Sequence, residues 1–62
     1  MAIVYIKELR TGIEHKRTIK EDVSFTWQFE NDKLVIRDYY SGKVLHKYDV
    51  SKYGSVRIFI ER

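Results

Sequence analysis

Residues 23–29 alternate apolar and polar side chains without interruption. A β-strand places successive side chains on opposite faces, so this period of two predicts a strand with one apolar face. Val56, Ile58 and Ile60 repeat the pattern near the other end of the chain. The chain is therefore expected to be built from β-strands.

The chain is short, with 62 residues, and a domain of this size buries only about 60% of the surface that its unfolded chain exposes. Disulfides, a structural metal or oligomerisation usually compensate. The sequence has no cysteine, so a closed four-ligand zinc site would need both His15 and His46 together with two converging carboxylates. We therefore expect an aromatic-rich core, a homodimer or both, with no metal and no cofactor.

No proline occurs, and Gly12, Gly42 and Gly54 punctuate the chain. Residues 19–22 and 51–54 are each compatible with a single helical turn. We predict an all-β fold with one domain over residues 1–62, an antiparallel meander of five to six strands. It would form a compact sheet or a small barrel or half-barrel, alternatively two three-stranded halves. The predicted strands are residues 2–9, 13–19, 23–30, 34–39, 44–50 and 56–61.

Two hairpin turns are readable from local chemistry. A two-residue Asn31-Asp32 loop would place Glu30 opposite Lys33, a favourable charge pair. The same loop would place Phe29 opposite Leu34 and Trp27 opposite Ile36. A three-residue loop over residues 40–42 would place Val44, His46, Tyr48 and Val50 on the face of Leu34 and Ile36.

The second loop has an alternative. A two-residue Ser-Gly loop would reverse that face, and we prefer the three-residue loop, with Gly42 left-handed, because it buries more apolar area. Residues 10–12 are expected to form a similar turn. Residues 11–16 also resemble residues 41–47, and beyond them Ile19 matches Val50 and Phe25 matches Val56. This echo has two readings, duplication or chance alternation.

Lysine and arginine exceed the acidic residues by 12 to 9, a formal net charge of +3. If the preferred registers hold, one sheet face mixes cations with rings. Such a face can neutralise phosphates and stack on bases, which predicts nucleic-acid binding. The residues expected to bind nucleic acid or a partner are Arg37, Tyr39, Lys43, Lys47, Arg57 and Phe59.

The alternative function is a protein-interaction module, such as a small inhibitor or adaptor. It would dock on a larger protein through an exposed edge strand or an apolar patch of Val35, Leu45 and Phe59. Homodimerisation through the same patch is a third option.

Catalysis is not expected. No glycine-rich phosphate loop or serine elbow accompanies the carboxylates, and a paired-histidine site at His15 and His46 lacks a carboxylate at ligand spacing. The start of the chain is too briefly apolar for a signal peptide or a membrane span. The absence of cysteine is compatible with a cytoplasmic location, which we expect, without membrane contact.

Overall fold

The structure, a computed structural model, describes residues 1–62. Six strands were predicted and all six are present, with ends within two residues of the predicted ones. A 3-10 turn at Ser51–Tyr53 is the one helical element, so residues 19–22 form no helical turn. No helix has the length and apolar content needed to cross a membrane. The strands are β1 (Ala2–Glu8), β2 (Glu14–Ile19), β3 (Phe25–Glu30), β4 (Lys33–Asp38), β5 (Val44–Asp49) and β6 (Val56–Glu61).

The strands form two antiparallel three-stranded sheets, which confirms the all-β prediction. The first sheet has the order β2-β1-β6 and the second has the order β3-β4-β5. Chain contacts divide the molecule into a first unit, residues 1–21 with 53–62, and a second unit, residues 22–52. Each sheet belongs to one unit, and the units are described separately.

In the first sheet, the central strand β1 separates two faces of different character. Ala2, Val4 and Ile6 are buried on one face, which also carries Ile19 of β2. From β6, half-buried Ile60 and Ile58 lie directly opposite Val4 and Ile6. Residues at odd positions of β1 therefore lie on the other face, which we call the outer face.

In the second sheet, β3 and β4 form the predicted hairpin. Asn31 and Asp32 both have positive φ, 52° and 62°, as a two-residue type I′ turn requires. The register places Glu30 opposite Lys33 and Trp27 opposite Ile36, both as predicted, and Phe29 also pairs with Leu34.

The β4–β5 connection differs in detail from the predicted loop. Asp38 and Lys43 close it, with the Asp38 N–H donating to the Lys43 carbonyl at 2.8 Å, so the loop has four residues, 39–42. One residue further, the register shifts, because Ile36 lies opposite His46 while Arg37 lies opposite Val44.

The longer loop and this bulge compensate each other. His46 and Tyr48 consequently take their predicted places opposite Ile36 and Leu34. The face predicted for Val44 is wrong, because Val44 lies before the bulge, pairs with Arg37 and is exposed.

The β1–β2 connection has the same turn hydrogen bonds, so the two turns are similar as predicted, but this one spans residues 9–12 rather than the predicted 10–12. The Glu8 N–H donates to the Ile13 carbonyl at 2.8 Å, and the Gly12 N–H donates to the Glu8 carbonyl. The Thr11 hydroxyl accepts from the Ile13 N–H, as the Ser41 hydroxyl accepts from the N–H of Lys43. The echo seen in the sequence thus extends to equivalent turn hydrogen bonds in the two connections.

The sheets do not follow the two halves of this echo. If β1-β2-β3 and β4-β5-β6 are the halves, each sheet takes a hairpin from one half and its third strand from the other. Strand β6 pairs with β1, and β3 pairs with β4.

Substitution at the loop glycines tests the turn geometry. Gly42 and Gly12 have φ of +75° and +80°, and a Cβ at either position would meet no atom within 4 Å. The cost of alanine is therefore backbone strain alone. We expect Gly42→Ala and Gly12→Ala each to lower the free energy of unfolding by about 1–2 kcal/mol, measured by urea denaturation. Gly42→Asn should cost less because asparagine tolerates this conformation. An unchanged midpoint in Gly42→Ala would contradict the assigned turn.

Candidate nucleic-acid interface

The six residues predicted to bind nucleic acid or a partner do not share one sheet. Four belong to the second unit and two to the first. The prediction assumed a single sheet, in which the last strand continues the face of β4 and β5. The second unit holds Arg37, Tyr39, Lys43 and Lys47, and the first holds Arg57 and Phe59.

One member of the predicted apolar patch of Val35, Leu45 and Phe59 is not available at the surface. Val35 is buried, 1% exposed, and lies in the central strand, where Gln28 and Lys47 are directly opposite it. Leu45 is half-buried at the bulge, and Phe59 lies in the other sheet. This prediction is wrong because it treated the outward side of a central strand as open.

Within the second unit, Arg37 is engaged by the chain itself. Its Nη2 lies 3.2 Å from Oε2 of Glu30, and its Nη1 donates to the Gly42 carbonyl at 3.2 Å. A phosphate would have to compete with these partners. Lys43 and Lys47 are exposed and form no ion pair.

Tyr39 lies in the β4–β5 loop rather than in a strand. It is 62% exposed, and its neighbour Tyr40 is 85% exposed. The two rings meet edge to face, with centroids 5.1 Å apart. The loop therefore presents two accessible rings beside Lys43.

On the outer face of the first sheet, rings and cations lie side by side. Tyr5 of β1 is directly opposite Phe59 of β6, with ring centroids 5.9 Å apart. On the other side Tyr5 faces Lys16 of β2, whose Nζ lies 5.5 Å from the Tyr5 ring centre. Phe59 is 61% exposed. The three side chains form a continuous row across the sheet.

A second row of charged residues runs beside it. Lys7 lies directly opposite Arg57, and both are exposed. Like charges placed directly opposite destabilise a sheet. Glu14 lies on the other side of Lys7, but neither Lys7 nor Arg57 forms an ion pair within the chain. A bound anion would relieve this repulsion.

Three members of this face, Tyr5, Lys7 and Lys16, were missed from the sequence. The alternation of β1 in the sequence already indicates that Tyr5 and Lys7 lie on the face of the strand that Val4 and Ile6 do not occupy. The sequence could not predict that β1 pairs with β6, because the two strands are separated by most of the chain. Only that pairing brings Tyr5 against Phe59.

Another polar cluster in the first unit surrounds His15. Its Nε2 lies 2.6 Å from Oε2 of Glu8, and its ring stacks on Tyr53 with centroids 4.1 Å apart. The hydrogen bond from His15 lowers the pKa of Glu8. Nη2 of Arg17 lies 3.4 Å from the Tyr53 hydroxyl. The cluster attaches Tyr53 to β2.

Asp38 and Asp49 bind the turns that follow them. One oxygen of Asp38 accepts the N–H groups of Ser41 and Tyr40, and these bonds lower its pKa. Asp49 accepts the hydroxyl and N–H of Ser51, which lower its pKa in the same way. These carboxylates shape the backbone. No three histidine, aspartate or glutamate side chains are grouped as ligands for a metal ion.

Comparisons with known proteins leave the assignment to the geometry of the chain. No protein-family model matches the sequence, and searches among curated proteins and solved structures find no similar protein.

The turn carboxylates predict a pH dependence of stability. Their lowered pKa values mean that the folded chain binds fewer protons than the unfolded chain, so the free energy of unfolding falls as the pH is lowered through the folded pKa. We expect the thermal midpoint to fall below about pH 4. In Asp38→Asn the fall should be smaller, because the amide oxygen still accepts both N–H groups without titrating.

The control is Asp32→Asn, which removes a turn carboxylate whose side chain accepts no hydrogen bond. It should follow the wild-type pH profile. If Asp38→Asn also follows it, the hydrogen bonds of Asp38 do not stabilise the ionised form.

Proposed function

We propose that the protein is a non-catalytic module that binds single-stranded nucleic acid on the outer face of its first sheet. The observation that carries this proposal is the row of Lys16, Tyr5 and Phe59, which places a cation and two adjacent rings on an accessible sheet surface.

The rings supply the contact with bases. Every base has a π-face, and a base stacked on an aromatic side chain contributes about 1–3 kcal/mol, largely regardless of sequence. Phe59 is the more accessible ring, while Tyr5 is half-buried between Phe59 and Lys16. Bases in a duplex are already stacked on each other, so this mode selects unpaired bases.

The cations supply the contact with phosphates. Lys7, Lys16 and Arg57 flank the rings and have no carboxylate partner within the chain. Each phosphate contact releases a counterion, so three contacts on a single strand give a slope of roughly −2 for the logarithm of the binding constant against that of the salt concentration. Affinity should therefore be salt-dependent and almost independent of sequence.

A pair of charge-matched double variants tests the location of the site. Lys16→Gln with Arg57→Gln removes two charges from the outer face, and Lys43→Gln with Lys47→Gln removes two from the second unit. We expect the first variant to weaken binding to a labelled single-stranded oligonucleotide and to reduce the salt slope by about 1–2, because two counterion-releasing contacts are lost. The second should stay within about twofold of wild type.

The outcomes separate the possible sites. Equal weakening in both double variants would show that net charge alone drives binding. Weakening only in the second would move the site to Arg37, Tyr39, Lys43 and Lys47, the other residues predicted from the sequence. Either result overturns the proposal, as does the absence of binding at low salt.

Removal of the exposed ring tests the stacking. Phe59→Ala should weaken single-strand binding by about 1–3 kcal/mol without changing the salt slope, whereas Phe59→Tyr should retain binding. Tyr40→Ala, which removes an exposed ring from the second unit, is the control and should have no effect. Fluorescence anisotropy gives affinity and slope together. A Phe59→Ala affinity equal to wild type would exclude base stacking here.

The alternative proposal, docking on a larger protein, retains one of its two supports. Val35 of the apolar patch is buried, but an exposed edge strand, β3, is present. We place either activity in the cytoplasm, a location with which the absence of cysteine is compatible. Cell fractionation with an antibody to the chain tests this location.

A further inference from the structure

Strand β3 exposes large side chains that its own sheet does not cover. Four consecutive residues, from Thr26 to Phe29, are exposed, so the strand is accessible from both faces. The rings of Trp27 and Phe29 are 42% and 45% exposed and meet edge to face, with centroids 6.2 Å apart. The offset of 31 residues that matches Phe25 with Val56 in the echo also matches Trp27 and Phe29 with Ile58 and Ile60 of β6, which are half-buried.

Strand β3 is also the one sheet edge that has no protection against pairing. Edge strands are usually blunted by charges, bulges or proline. Among the other edges, β2 carries Lys16 and Arg17, β6 carries Arg57, and β5 carries Lys47 beside its bulge. Residues 25–29 carry no charge, proline or bulge, and the only charged residue of β3 is Glu30 at its end.

We propose that β3 pairs antiparallel with β3 of a second copy of this chain, about a two-fold axis at Gln28. In this register Trp27 lies opposite Phe29 of the second copy, and the reverse pair forms on the other side of the axis. All four exposed rings then lie on one face of a continuous six-stranded sheet. An axis shifted by half a residue would place Trp27 opposite Gln28 and mix apolar with polar side chains.

The available area sets the expected strength. The whole surface of a large aromatic side chain is on the order of 200 Å². Trp27 and Phe29 each expose somewhat less than half of theirs. The four rings therefore offer about 350 Å², and even with the paired backbone of two six-residue strands the interface stays below the roughly 1,000 Å² expected of a stable specific interface. The dimer is therefore weak, and its formation depends on protein concentration. The apolar surface buried in the dimer would add stability to a chain that is too short to bury much surface on its own.

The position of Gln28 on the axis permits a sharp test. Gln28→Lys places two like charges directly opposite each other, and so does Gln28→Glu, so each variant alone should be monomeric. Mixed one to one, the two variants should dimerise again, because opposite charges then meet on the axis. Thr18→Lys and Thr18→Glu, the same changes on exposed Thr18 of edge strand β2, are the controls and should dimerise as wild type does.

Sedimentation equilibrium from about 1 to 500 µM gives the mass, and far-UV circular dichroism checks that each variant is folded. Trp27 is the only tryptophan, so its emission should shift to the blue as wild-type concentration rises and stay constant in each Gln28 variant. If the wild type is monomeric over this range, the proposal is overturned, and a strand of another protein becomes the expected partner of β3. Dimers that persist in either Gln28 variant alone, or a mixture that stays monomeric, overturn the two-fold register.

Discussion

The side chains of directly opposite residues in an antiparallel pair lie on the same face, and this constraint organises both sheets. In the first sheet it aligns Val4 with Ile60 and Ile6 with Ile58, which gives one apolar face. The same pairing necessarily aligns Tyr5 with Phe59 and Lys7 with Arg57 on the other face. The buried face and the candidate site are therefore two results of one register, and a shift of one residue would destroy both.

This constraint also explains which parts of the fold could be predicted from the sequence. The Asn31-Asp32 hairpin was predictable because its turn and its first cross-strand pairs are neighbours in the chain. For β4 and β5, the sequence predicted that His46 and Tyr48 share a face with Ile36 and Leu34. It did not predict the four-residue loop or the bulge. The extra loop residue shifts the register by one, and the bulge shifts it back. The hydrophobic pattern beyond the bulge is therefore the same as for a three-residue loop without a bulge.

The candidate site was predictable only in part, for a related reason. Arg57 and Phe59 are recognisable as outward residues of a strand, but their neighbours depend on which strand lies beside β6. No local signal encodes that choice. The burial of Val35 has a different origin: Leu34, Val35 and Ile36 are three consecutive apolar residues, so β4 lacks the alternation of a strand with one open face, and all three are buried. The sequence indicates which residues share a strand face, and the strand order decides which faces become surfaces.

The exchange of third strands between the two halves of the echo affects how the chain reaches its folded state. The second sheet connects strands that follow one another, so its pairings close short loops. The first sheet is completed only when β6 returns to β1, across a chain segment that contains the whole second unit. Loop-closure entropy grows slowly with length, by about 0.6 kcal/mol per doubling, but pairings distant in sequence are slow to form. Early formation of the second sheet would shorten the effective loop between β2 and β6, so we expect the more local sheet to form before the less local one.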